Sequence, residues 1–256
     1  AATDDVTIAH AVTVGATLTQ TGSVTINSGG SLTATSGFNV TVGALTINSG
    51  ASLTTSQLLT VTGATNISGT INFNTTARNH AFNGDVTLNS GANWIETVAN
   101  TPHFGGNLTV NTGATFTPFS GTYYFDGSGK TFGGSMTLKA VSITGSYTNT
   151  GTLIIGTSLA GAGTLTNGAG AILDIAIGSP SINTLTATAA GNTVKYSASA
   201  GQTAIVTTYD NLTLAGTSAK TFATGPTVNG ILSMEGGSTS MAITSGAITY
   251  GPNATL

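Results

Sequence analysis

The chain has 256 residues, five Lys plus Arg against eight Asp plus Glu, no cysteine, and only 5% charged residues, where a soluble globular domain carries about 25%. A net charge of −3 with no basic patch excludes nucleic-acid binding through phosphate neutralisation, and the absence of cysteine excludes disulfides and thiolate metal sites. Hydrophobic residues still make up 39% and are regularly placed, so the chain is expected to fold rather than stay disordered. No apolar run approaches the ~20 residues of a membrane-spanning helix.

The chain opens Ala1-Ala2-Thr3-Asp4-Asp5, a small-residue start of the kind signal-peptidase cleavage leaves, so an exported, mature protein is expected. A strand-like run from Val6 to Val14 follows at once. Then comes a phrase that the chain repeats. Val24-Thr-Ile-Asn-Ser-Gly-Gly-Ser-Leu32 returns as Leu45-Thr-Ile-Asn-Ser-Gly-Ala-Ser-Leu53, as Val86-Thr-Leu-Asn-Ser-Gly-Ala-Asn-Trp94 and as Leu108-Thr-Val-Asn-Thr-Gly-Ala-Thr-Phe116. Its opening alternates with period two, which puts the first and third residues on one face of a strand. The Asn-Ser/Thr-Gly step supplies a corner, because Asn and Gly tolerate left-handed backbone. The steps from Val24 to Leu45 and from Val86 to Leu108 are nearly equal, and the step between Leu45 and Val86 is about twice as long. The wide gap is expected to hold one degenerate copy, Leu59-Thr-Val-Thr-Gly-Ala-Thr-Asn-Ile67, out of step with the others.

From about Ile95 to Thr122 the chain holds Pro102, Pro118 and several aromatics, and a less regular, protruding stretch or a coil of different shape is expected there. Trp94, Phe104, Phe116, Phe119, Tyr123, Tyr124 and Phe125 are expected to fill the core of a wider coil rather than form a sugar-stacking platform. A second phrase appears from the middle onward, an aromatic before a Gly-rich corner and then a Leu/Val/Met-Thr-Leu/Val strand. Tyr124 to Phe132 leads in this way into Met136-Thr-Leu138, and Val194-Lys-Tyr196 leads into Asn211-Leu-Thr-Leu214. Thr, Gly, Asn, Val and Ser dominate every window, and all are poor helix formers. Strand, corner and strand repeated in this way predict an all-β chain with little or no helix. The expected form is a single domain spanning residues 1–256, a parallel β-solenoid (β-helix) of about twelve coils, each burying its apolar face on the next.

The Asn-Ser-Gly-Ala phrase, the Gly-Ser-Gly-Lys-Thr-Phe132 segment and the Asp210-Asn-Leu-Thr-Leu214 segment resemble the repeats of bacterial β-strand-repeat surface proteins, akin to filamentous-adhesin β-solenoids. That resemblance implies export, a right-handed parallel solenoid and a structural or adhesive role. It carries no catalytic residues onto this chain.

Chemistry is sparse. The carboxylates are Asp4, Asp5, Asp85, Glu96, Asp126, Asp174, Asp210 and Glu235, and only Asp4 and Asp5 are neighbours in sequence. Solvated corner positions are their expected role, since polysaccharide-cleaving solenoids need clustered carboxylates or a calcium site. His10, His80 and His103 are scattered, and Arg78, His80 and Asp85 form the nearest approach to a polar cluster, expected as a solvated loop. Thr-x-Thr triplets such as Thr17-Leu-Thr19 and Thr115-Phe-Thr117 are too irregularly spaced to read as a lattice-matching ice-binding face. Internal Asn and Thr are candidates for hydrogen-bonded ladders from coil to coil. No catalytic, cofactor-binding or metal-binding residues are expected, and no enzyme activity.

The strand-like start at Val6 and the finish at Gly251-Pro-Asn-Ala-Thr-Leu256 show no capping helix or charge cluster. Open edges at both ends are head-to-tail interfaces, which build open filaments. The expected function is an extracellular structural subunit of a surface fibre that polymerises with itself in an adhesive or matrix role. The alternative is the stalk of a larger adhesin, or a module that binds surface glycans or ice.

Overall fold

The structure is a computed structural model that describes residues 3–35, 37–236 and 240–255. Among the described residues there is no helix, and the chain is an all-β parallel β-solenoid of about twelve coils. It divides into two units, Ala1–Gly127 with Gly133–Ser135, and Ser128–Phe132 with Met136–Leu256.

In the first unit the repeated phrase forms one column of strands in strict register. Val6, Val24, Leu45, Thr65, Val86 and Leu108 pair in turn, as do Ile8, Ile26, Ile47, Ile67, Leu88 and Val110. Each step along the column is one coil, and the coils are of nearly constant length, the first being the shortest. The degenerate copy is corrected by this register. Its second half, Thr65–Ile67, occupies the phrase position. Its first half, Leu59–Val61, belongs to a separate column with Val40–Val42 and Ala81–Phe82. Leu59-Thr-Val61 copies the aliphatic-Thr-aliphatic pattern, so alternation alone cannot tell the two columns apart.

A third column stacks Ala11–Thr13, Ser31–Ala34, Ser52–Thr55, Thr70–Phe73, Asn93–Glu96 and Thr115–Thr117. Two kinds of glycine turn the chain between columns. The phrase glycines Gly29, Gly50, Gly91 and Gly113 have φ between 74° and 87°, the left-handed region that costs a side chain dearly. At another corner Gly43, Gly63, Gly84 and Gly106 lie over one another. A Cβ on Gly84 would stand 2.4 Å from the Gly63 carbonyl carbon and oxygen, so this corner closes only without side chains.

The stretch 95–122 carries the strands His103–Phe104 and Leu108–Val110, and these are in register with the coil before them. Aromatics in it and beside it pack inward: Trp94, Phe104, Tyr123 and Phe125 are fully buried. Phe82, Phe104 and Phe125 form a stack with centroids 5.4 and 5.2 Å apart. Two of the seven aromatics point elsewhere. Phe119 is exposed, and Tyr124 lies on the outer side against His103.

The second unit repeats the arrangement with less even coils. Leu153, Leu173, Val194, Leu212 and Leu232 form its apolar column, and the coil from Val194 to Leu212 is its shortest. Beside it runs a buried amide ladder. Asn149 Nδ2 donates to Asn167 Oδ1 at 2.8 Å, and Asn167 Nδ2 donates to Asn192 Oδ1 at 3.0 Å. The first unit has a half-buried version in which Asn48 Nδ2 donates to Asn27 Oδ1 at 3.0 Å. A Tyr196–Tyr209 hydroxyl pair at 2.9 Å and a buried Lys220, whose Nζ donates to the Ala198 carbonyl at 2.6 Å, complete the polar interior.

Candidate functional site

One cluster of polar side chains lies in the first unit, around the corner between Thr70–Phe73 and Ala81–Phe82. Arg78 and His80 stand there, as the sequence suggested, but Asp85 does not join them. The strand Ala81–Phe82 and the following glycine corner carry Asp85 away, where its carboxylate accepts from Asn107 N at 2.8 Å and Asn107 Nδ2 at 3.0 Å. The partners of Arg78 come from the coils on either side. Its Nη2 donates to Gln57 Oε1 at 3.2 Å, and its own amide donates to Asn100 Oδ1 at 3.0 Å.

His80 is not a solvated loop residue. It is 1% exposed, with its ring 4.4 Å from that of Phe73. Its Nδ1 accepts the Leu59 amide at 3.1 Å, so Nε2 carries the proton of the neutral ring. Burial holds the imidazole down at about 4. The nearby Asn100 side chain opposes the fall and the Arg78 charge adds to it.

Glu96 is also withdrawn from solvent, at 6% exposed. Its Oε1 accepts from Tyr123 Oη at 2.5 Å and Trp94 Nε1 at 3.1 Å, and its Oε2 accepts from Phe119 N at 3.2 Å. Burial raises its carboxyl above the usual range, against the pull of those three donors. Three hydrogen bonds to a buried carboxylate make a structural clasp on the corner after Thr115–Thr117.

Sequence reasoning missed one association. His103 Nδ1 lies 2.6 Å from Asp126 Oδ2, and the His103 ring stacks on Tyr124 at 4.6 Å and 7°. His103 pairs with Tyr124 one coil on, which puts Asp126 opposite Gly105, where no side chain blocks the diagonal reach. The separation of His103 and Asp126 by little more than one coil was the available signal. The arrangement can orient an imidazole at the surface and present a flat aromatic stack.

The remaining carboxylates sit at separate corners. Asp5 accepts from the Ser23 side chain and from Ser23 N at 2.8 Å, which together lower its pKa against a small opposing effect of desolvation. Asp210 accepts Gly191 N at 2.7 Å, Asp174 accepts the Ser197 hydroxyl, and Glu235 meets Lys195 at 3.4 Å. His10 is exposed in the first coil and Asp4 accepts from Gln20 through its carbonyl. Among the described residues, no three His, Cys, Asp or Glu side chains converge to hold a metal ion, and no helix is long and apolar enough to cross a membrane.

The other candidate surface is the first coil. Val6, Ile8, Val12, Val14, Leu18 and Leu32 line an apolar groove of about 530 Å³. Val6 is 39% exposed where its partner Val24 is fully buried, and Val12 is 41% exposed where Leu32 is 2% exposed. The second unit has the same contrast. Met234 and Tyr250 are each 47% exposed, and their register partners Leu214 and Val228 are buried.

No protein-family model matches the chain, and neither a curated protein nor a solved structure matches it.

Proposed function

We propose that this chain is a structural module of an extracellular surface fibre, stacked end to end with further copies through its open coils. One observation carries the reading: four apolar residues, on the first coil and on the stretch 232–250, are exposed where their register partners on the adjoining coil are buried. Val6 and Val12, and Met234 and Tyr250, are the exposed members. A strand added beside Val6–Ile8 or Ala11–Thr13 takes up unpaired backbone groups and covers the groove. Such a contact joins unlike faces and so propagates into an open filament. Few charges stand in its way, and five Lys plus Arg in 256 residues leave trypsin-like proteases few cleavage sites on an exposed fibre. The export and the adhesive role are part of this reading, which assigns the chain no catalysis.

Sedimentation velocity of the chain and of Val12→Lys tests it. The unmodified chain is expected to form concentration-dependent polymers, and a charge placed in the groove is expected to return it to single copies. Polymers that persist unchanged in Val12→Lys would refute stacking through this coil.

A second reading, adsorption to glycan or ice surfaces, is favoured by one feature. Ser31/Thr33, Ser52/Thr54, Thr70/Asn72, Asn93/Ile95 and Thr115/Thr117 form rows in register along the outer side of one column. Strands about 4.8 Å apart with alternate residues roughly 6.6 Å apart make a regular array of hydroxyls and amides, interrupted by Ile95. Thermal hysteresis or glycan binding that Thr54→Lys abolishes would support it.

A further inference from the structure

The column that contains Leu59 holds a titratable group where its neighbours have only backbone. Leu18 N donates to the Asn39 carbonyl of the following coil at 2.9 Å, and Val40 N donates to the Leu58 carbonyl at 2.9 Å. In the neighbouring row of the same column the amides point to the preceding coil, as alternate residues of a parallel strand do. The His80 carbonyl accepts from His103 N at 2.8 Å, and the Tyr124 amide likewise reaches back to the Pro102 carbonyl at 2.9 Å. The His80 carbonyl faces the later coil in the ordinary way, and the Leu59 amide, whose counterparts Leu18 and Val40 meet a carbonyl, goes to the His80 imidazole at 3.1 Å. The ring thus stands in for the main-chain acceptor that Leu18 and Val40 have at the same place in their coils.

Its surroundings hold it neutral. The face of Phe73 covers one side, and Gln57, Arg78 and Asn100 supply the polar neighbours from three successive coils. Nε2 is buried without a hydrogen-bond partner. Arg78 is the charged neighbour, and it repels a second cation. The carboxylate on the adjoining strand, Glu96, is held by Trp94, Tyr123 and Phe119. The turn that leads to His80 is itself under strain. Thr75 has φ of 59° and is the non-glycine residue with positive φ among the described residues, an unfavourable conformation for a β-branched side chain.

We propose that His80 is an acid-sensitive link in the backbone ladder, so that protonation of its imidazole releases Leu59 and opens the seam between the two coils it joins. A proton on Nδ1 turns the acceptor into a donor facing the Leu59 N–H, and it adds a buried charge beside Arg78. Both changes disfavour the closed seam and neither acts on an open one. The sign follows from a lowered folded-state value: the contribution of His80 is full above 6.5 and is lost as the pH falls toward 4. Opening at this seam becomes about a hundredfold more favourable at pH 4 than at pH 7.

Amide hydrogen exchange of the whole chain, corrected for intrinsic rates, tests the link at Leu59. Protection at Leu59 is expected to fall about a hundredfold between pH 7 and pH 4, with Leu18 and Val40 unchanged. In His80→Gln, whose side-chain carbonyl accepts at every pH, the Leu59 dependence is expected to disappear. Protection that does not change with pH, or that falls equally in His80→Gln, would overturn the proposal. Imidazole nitrogen shifts of the unmodified protein give a reading that does not rely on the variant folding. The neutral Nε2–H form at pH 7 is expected, and an Nδ1–H form would overturn the proposal.

Discussion

Replacing Asn167 by Ala tests how far the interior amide ladder holds the second unit together. Asn167 is fully buried, and Asn149 and Asn192 on either side of it are at most 1% exposed. The substitution removes an acceptor for Asn149 Nδ2 at 2.8 Å and the donor to Asn192 Oδ1 at 3.0 Å. It also removes Nδ2 contacts to the Thr193 and Ala171 carbonyls at 2.9 and 3.2 Å. Asn149 keeps the Ile172 carbonyl at 2.8 Å, and the Ala171 carbonyl keeps Thr193 N at 2.8 Å. Asn192 Oδ1 loses its Asn167 donor in a place that water cannot reach. Two net side-chain hydrogen bonds at about 1 kcal/mol each, plus about 1–2 kcal/mol for the stranded oxygen, put the cost at roughly 3–4 kcal/mol. Asn27→Ala removes the same kind of bond from the half-buried ladder of the first unit. Water replaces the lost partner there, and the cost should stay under about 1 kcal/mol. Urea unfolding is the assay. Amide exchange at Leu165 and Leu173 should accompany it, because stacked repeats need not unfold in two states. Equal costs for the two substitutions would refute the claim that the buried amides hold the coils in register.

Gly84→Ala should destabilise by about 1–3 kcal/mol, because its Cβ meets the Gly63 carbonyl at 2.4 Å. Gly15→Ala, with open space around it, should be neutral within about 0.5 kcal/mol in the same denaturation series. Glu96 has a raised folded-state value, so it binds a proton more readily folded than unfolded. Its favourable contribution is therefore full below the unfolded value of 4.5 and is lost as the pH rises through the folded one. Stability of the unmodified chain relative to Glu96→Gln should accordingly improve on acidification, read by denaturation at pH 4 and pH 7. A difference that does not vary with pH would show that the carboxyl is not strained by burial.

Much of the solenoid was legible because its signal is local and repeated. Aliphatic-Thr-aliphatic alternation followed by Asn-Ser-Gly names a strand and its corner, and the corner glycines do take the left-handed backbone. What escaped depends on which coil lies against which. Leu59-Thr-Val61 reads like a phrase and belongs to another column, and only pairing with Val40 decides it. The Gly43, Gly63, Gly84 and Gly106 corner was missed because a glycine at steric contact leaves the same mark in sequence as one in a flexible loop. His80 and Glu96 looked like solvated polar residues, since nothing local reports that a turn folds inward. Glu96 had a faint sign in its place two residues after Trp94, on the same inward side. His103 and Asp126 are about one coil apart, and that spacing could have paired them.

Electron microscopy of the unmodified chain at micromolar concentration bears most directly on stacking through the open coils. Unbranched filaments of uniform width, which grow longer with concentration, are the expected result. Isolated single particles at every concentration would contradict it.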